Sequence, residues 1–244
     1  MLRQAIRTLI LLLVLALGWE GLHLAAGNAG LSSPGQAAAR LAVLLGTASF
    51  WDDIGATGSA FALAVVLSLG GGLLLGALLG AGRLAAAVSE PLLVNLYSLP
   101  KVTLYPVVLL VFGLGLSAKV AFGVMHGLIP LTLFTMNAMA QIRPALMRTA
   151  RVMRLSWLQT VTTVVFPAIL PDVLTGARLS ASLSLLGVLI GEMFASSRGL
   201  GHLVTTAMES GDTATVLAVA LLLAAFAVTV NSALLAAGRR GPRG

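Results

Sequence analysis

From Ile54 to Gly82 the chain carries no charged side chain, twenty-nine residues in succession. About twenty apolar residues suffice for a helix to cross the hydrocarbon core of a bilayer, and a helix satisfies its own backbone polar groups there. The rest of the chain is built alike: 58% of its 244 residues are hydrophobic and 9% charged, with a mean hydropathy of +1.01. Soluble domains carry roughly 25% charged residues. The sequence therefore reads as an all-α polytopic membrane protein. It contains no cysteine, so no disulfide, thiolate nucleophile or cysteine-held metal can be proposed. Three scattered histidines and eight carboxylates leave little room for a metal centre.

Six spans are expected. Residues 1–27 form a first membrane helix over Ile6–Ala26, or a signal-like anchor, with Trp19 and Glu20 near the outer interface. Residues 28–58 form an outer segment in which Pro34 opens a short amphipathic helix, Gln36–Leu45. The core, 59–237, begins with a helix near Ser59–Ala81. Gly72, Gly76 and Gly80 lie on one face of it, either to admit a neighbouring backbone or merely as small fillers. Arg83 and Glu90 bracket a loop, and a third span runs from Pro91 to about Leu114 with Pro100 and Pro106 inside. A fourth extends from Lys119 to about Ala140, a fifth from Val173 to Ala195 and a sixth from Thr213 to Ala237. Ser196–Asp212 is a polar outer segment, and 238–244 a basic tail.

On this arrangement ten of the fifteen Lys and Arg fall on one side: Arg3, Arg7, Arg83, Arg143, Arg148, Arg151, Arg154, Arg239, Arg240 and Arg243. Arg40, Lys119 and Arg198 fall on the other, and Lys101 and Arg178 lie within helices. The positive-inside rule then places both termini and the long loop in the cytoplasm. It also accounts for the net charge of +7 without nucleic acid, since no aromatic residues interleave with the basic ones as in a single-strand binder.

The long loop, Arg143–Pro171, is the main interruption. Pro144 suits the first turn of a helix. Leu146, Ala150, Met153 and Trp157 follow as one helical stripe, with Arg148, Arg151 and Arg154 on another face. An amphipathic helix over 144–158, closed off by Pro167 and Pro171, is expected. It would either rest on anionic lipid or dock a soluble partner.

This run resembles the cytoplasmic loop of permease subunits of ATP-binding-cassette importers, whose signature is Glu-Ala-Ala, three residues, Gly, nine residues, then Ile-x-Leu-Pro. Val164, Phe166 and Pro167 take the Ile, Leu and Pro places and Ala150 the second Ala. Arg148 stands for Glu, Thr149 for the first Ala and Arg154 for Gly. Residues 98–119 and the segment GEMFASSRGLG at 191–201 resemble the nitrate, sulfonate and taurine branch, and the resemblance covers roughly 55–237. It implies a type I importer permease in the bacterial inner membrane. It further implies a second copy forming a homodimer around the solute path, ATPase subunits inside and a solute-binding protein outside. The 144–158 helix becomes the coupling helix, with Leu146, Arg148, Ala150, Arg151, Met153, Arg154, Trp157 and Pro167 as its ATPase-coupling residues. Gly199 and Gly201 fall in an outer-gate stretch.

No phosphate-binding Gly-Lys-Ser/Thr loop is present, so ATP should be bound elsewhere, and no cofactor is expected on this chain. Candidates for the path are Lys101, Asn137 and Glu192. Lys101, about 15 Å deep at 1.5 Å per residue, either attracts an anionic solute or is a snorkelling or carbonyl-bonded lysine in a proline-broken helix. Glu192 either shapes the outer gate or meets water. Asn137 bridges helices. Arg178, in the second turn of the fifth helix, snorkels inward, and His126 is a packed neutral histidine. An ion-coupled secondary transporter and a structural or signalling membrane protein are the alternatives. The first would want an intramembrane relay, for which Lys101, His126, Arg178 and Glu192 are scattered groups.

Overall fold

The structure, a computed structural model, describes residues 2–239 and contains helices and turns only among them. Residues 240–244, including Arg240 and Arg243 of the tail, lie outside the described residues. Eleven α-helices follow in order: α1 Leu2–Gly30, α2 Pro34–Leu45, α3 Ala48–Gly80, α4 Arg83–Ser98, α5 Tyr105–Phe112, α6 Leu116–Ala140, α7 Pro144–Val152, α8 Trp157–Thr160, α9 Phe166–Ala195, α10 Leu200–Glu209 and α11 Thr213–Arg239.

Four stretches are long and apolar enough to cross a membrane: α3, α6, the 38-residue run Trp157–Phe194 and Thr213–Ser232. A fifth is possible if α4 and the Lys101–Phe112 segment, bent by 84° against each other, are counted as one broken span. The expected straight third helix is thus replaced by two pieces. Arg83 and Glu90 lie inside α4 rather than in a loop, as does Pro91, and the chain turns at Leu99–Pro100. α1 is helical to a break at Gly27, and among the described residues its apolar stretch is Leu13–Gly27. Trp19 Nε1 donates to Ser32 O at 2.9 Å, joining α1 to the segment before α2.

α3 begins eleven residues before the expected start, so Asp52 and Asp53 stand on its first turns. Its glycines do admit a neighbour. A Cβ built on Gly76 would lie 2.5 Å from Thr135 Cβ and 2.7 Å from Thr132 O, and one on Gly80 2.6 Å from Met139 Cβ. Without side chains at these positions α3 can lie against the backbone of α6. On α6, Gly123 and Gly127 do the same toward α9: a Cβ on Gly123 would meet Val188 Cγ2 at 2.8 Å. α3, α6 and α9 form the tight centre of the molecule.

The fifth span is longer than expected. It continues from Trp157 through Pro167 and Pro171, which lie within the run rather than closing the preceding helix. The turn that makes this possible is a π-helical one over Val161–Val165, where Phe166 N–H reaches back to Val161 O. The wider turn sits just before Pro167, which has no N–H to offer the ladder.

At the other end, Ser33 caps α2 in a capping box with Gln36. Arg40 then reaches α11, donating from Nε to Thr215 Oγ1 at 2.7 Å and pairing with Asp212 at 3.1 Å. The Thr215 hydroxyl, bonded to Asp212 Oδ2, together with Arg40, holds that carboxyl below its ordinary range.

Candidate translocation and coupling sites

The most closely knit polar site lies at the ends of the central helices that meet α10. Glu192, near the end of α9, is fully buried and pairs with Lys119 of α6 at 3.4 Å. Its Oε2 also accepts from Thr57 Oγ1 at 2.8 Å and from Gly201 N–H at 3.0 Å. Lys119 Nζ donates to Arg198 O at 2.8 Å. Leu200 N–H bonds Thr57 Oγ1 at 2.8 Å and Gly199 N–H bonds Asp53 Oδ1 at 2.7 Å. The orphan N–H groups opening α10 are therefore taken by side chains of α3 and α9, where the helix dipole also favours carboxylates. Gly199, at φ +119°, leaves no room for a side chain, because a Cβ there would run into the Glu192 carboxyl. This clasp ties α3, α6, α9 and α10 together.

Two expectations are decided here. Of the two readings of Glu192, contact with water is excluded by its complete burial. Lys119 is a buried partner one turn inside α6 rather than a charge of the outer side. The polar segment Ser196–Asp212 carries α10. The sequence held one legible signal, namely opposite charges near the ends of two apolar helices. Beside the clasp, a cavity of about 570 Å³ is lined by Ser59, Lys119, Ser196, Ser197 and Arg198 among others.

Lys101 lies in a short 3₁₀ turn after the break, not ten residues into a continuous helix. Its Nζ donates to Tyr97 O at 2.9 Å and stands 4.8 Å from the centre of the Tyr97 ring. α4 ends at Ser98, so the Tyr97 carbonyl is among those left without an intrahelical partner, and the ammonium takes it. This is the carbonyl-bonded geometry. His126, buried, bonds Phe122 O at 2.8 Å through Nδ1 and packs on the Phe122 ring.

The 144–158 segment is not one helix. α7 stops at Val152, and Ser156 caps a new helix beginning at Trp157 through a capping box with Gln159. Between them Arg154 adopts φ +50°, the one positive φ among described non-glycine residues. Leu155 N–H bonds Ala150 O and Arg154 N–H bonds Arg151 O, both at 3.0 Å. This is a Schellman ending with Arg154 at the left-handed position that glycine usually fills. The resemblance places its Gly at this residue.

The expected stripe is consequently divided. Ala150 is buried, whereas Leu146, Val152, Met153, Trp157 and Leu158 are exposed, Val152 at 83% and Trp157 at 78%. Arg148, Arg151 and Arg154 are exposed too. Since left-handed backbone costs a side-chain-bearing residue about 1–2 kcal/mol, Arg154→Gly is expected to raise stability by about 1 kcal/mol, read as a higher melting temperature in detergent. An unchanged or lower melting temperature would mean that the Arg154 side chain compensates the strain.

Between α9 and the last turns of α6, Asn137 lines a cavity of about 280 Å³ with Phe134, Gln141 and Asp172. It is half-buried, and among the described residues its side chain bonds no other helix. Arg178 is no longer near a helix start: twenty-one residues of the same run precede it.

The long apolar helices, their glycine-mediated packing and their lipid-ready faces define a polytopic α-helical membrane protein. Over residues 72–240 the chain matches the family described as binding-protein-dependent transport system inner membrane component, and it belongs to that family. It is 30% identical over 163 residues to a protein named as an aliphatic sulfonates transport permease, SsuC, of Bacillus subtilis (strain 168), covering 67% of this chain and 59% of that protein. It thus spans about three-fifths of that relative. To the taurine transport system permease protein TauC of Escherichia coli (strain K12) it is 24% identical, over 79% of this chain and 70% of that one. A solved inward facing conformation of the MetNI methionine ABC transporter shares the fold, with a TM-score of 0.63 at 20% identity, over 79% of this chain and 94% of that chain.

Proposed function

We propose that the chain is the membrane-spanning subunit of an ATP-driven importer and forms the path of a small anionic solute of the sulfonate, taurine or nitrate kind. The family match over 72–240 carries this reading, with relatives named for sulfonates and taurine and a further one named as a nitrate import permease. The family's function is transport rather than catalysis, so ATP hydrolysis belongs to a separate ATPase subunit on the cytoplasmic side. A binding protein delivers the solute outside, and two copies of the chain flank the path.

In this reading 28–58 lies outside, 59–237 forms the transport core, 1–27 adds a span to give six, and 238–244 ends in the cytoplasm. α7 and the turn to Trp157 form the coupling element, presenting exposed Val152, Met153 and Trp157 to the ATPase. The arginine bias supports this orientation. A cysteine at Val152 should then be labelled only from the cytoplasm and one at Ser197 only from outside; labelling of both from one side overturns it.

Uptake is the direct test of function. In cells, uptake of taurine, nitrate or a short alkanesulfonate through this system should collapse on ATP depletion and survive a protonophore. The opposite pattern would identify an ion-coupled transporter.

A further inference from the structure

We propose that Arg178 forms an anion-binding station at mid-membrane, on a wet face of α9. The inference deepens the importer reading and rests on it for the identity of the transported anion.

The depth of Arg178 follows from its neighbours. A Cβ on Gly176 would touch Phe134 Cβ and Leu131 Cδ1, and one on Gly191 would touch Lys119 Cα. Residue 178 therefore lies beside about residue 131 of α6, whose helix runs from Leu116 to Ala140. At 1.5 Å per residue this is about 14 Å from the inner end of α6 and about 22 Å from the outer end. A charge at that depth faces protein or water, because hydrocarbon exposure is costly.

Protein does not enclose it. Arg178 is half-buried, and its one hydrogen bond is to a neutral neighbour on its own helix, Thr175 Oγ1, at 3.2 Å. Among the described residues the charge has no carboxylate partner, in contrast to Lys119 and Arg40.

The face beside it is polar. Asp172, Thr175 and Ser182 are exposed on α9, with Leu179 between Thr175 and Ser182 and Leu186 one turn beyond. α3 exposes Leu63, Val66, Leu67, Leu74 and Leu78 instead. One face suits lipid and the other suits water. Toward the cytoplasm the polar file continues through Asp172 to the cavity it shares with Asn137 and Gln141. Asp172 lies about 9 Å below Arg178 along the helix, so the attraction for anions is local to mid-span. The guanidinium offers several donors in a planar fork, a good match for the oxygens of a sulfonate or nitrate.

The chain has no cysteine of its own, which permits a test that needs no transported solute. Single cysteines are placed at Ser182 and, as a lipid-facing control, at Leu74, in the full chain in proteoliposomes. Modification rates are measured with a methanethiosulfonate reagent bearing a sulfonate and with one bearing a quaternary ammonium. Ser182→Cys should react with both reagents and Leu74→Cys with neither. Adding Arg178→Gln to Ser182→Cys should lower the ratio of sulfonate to ammonium rates roughly tenfold, at the low end of what a charged cleft does to local ion concentration. Arg178→Lys should restore most of it.

A Ser182→Cys no more reactive than the Leu74 control overturns the wet face. A wet face whose rate ratio ignores Arg178→Gln overturns the anion station. Neither result depends on ATP. Failure of ATP-dependent uptake in the unsubstituted protein would instead count against the importer reading alone.

Discussion

Glu192→Ala is expected to be the most damaging single substitution in the half of the molecule that carries α10. It leaves the Lys119 ammonium buried with only the Arg198 carbonyl, and it removes the acceptor used by Thr57 Oγ1 and Gly201 N–H. Breaking one side of a buried ion pair costs about 3–5 kcal/mol. For a chain of this size that corresponds to a fall in melting temperature on the order of 10 °C. The double replacement Lys119→Met with Glu192→Gln should recover much of the loss, because no unpaired charge remains and the amide oxygen can still accept from Thr57 or Gly201. Thermal unfolding in detergent reads both. A melting temperature for Glu192→Ala within a degree or two of the parent would mean that the clasp does not hold α10 in place. The same measurement separates a structural role from a gating one, since a gate residue would alter transport with stability intact.

The second large effect concerns the turn between α7 and α8. Met153 is 65% and Trp157 78% exposed on either side of the break at Arg154; Met153 ends α7 through its backbone N–H alone, and neither side chain makes a capping bond. Removing both should therefore leave the fold unchanged. Burying such side chains in a partner's groove contributes about 1.5–3 kcal/mol each, so Met153→Ala with Trp157→Ala would weaken docking by about 3–6 kcal/mol. A tenfold change in affinity is about 1.4 kcal/mol, and the ATPase should then separate from the chain during purification, or hydrolyse ATP without transport. Copurification at full stoichiometry with a normal transport rate would assign the turn to the lipid surface. Charge reversal at Arg154 distinguishes the two further, since it disturbs assembly only where that face meets the ATPase.

The sequence by itself determined that this is a helical membrane protein and where its main apolar runs lie, because the cost of placing charge or open backbone in hydrocarbon acts on every residue. The uncharged run from Ile54 and the apolar stretch ending at Ala140 were legible for that reason, as was the role of Gly72, Gly76 and Gly80 as one of two open readings. The 144–158 stripe was misread because helical periodicity continues across a break that only backbone geometry reveals. Arg154 in a left-handed conformation ends α7, and nothing in the spacing of Leu146, Ala150, Met153 and Trp157 announces it. The start of the fifth span was placed too late for a similar reason: Pro167 and Pro171 read as breakers until a π turn just before them carries the helix through. Partners distant in sequence were beyond reach altogether. Thr57, Lys119, Glu192 and Gly201 meet because α3, α6 and α9 approach closely through their glycines and α10 folds back onto α9. The sequence shows each charge singly; only the tertiary structure decides that Lys119 and Glu192 neutralise each other while Arg178 is left to face the open side of α9.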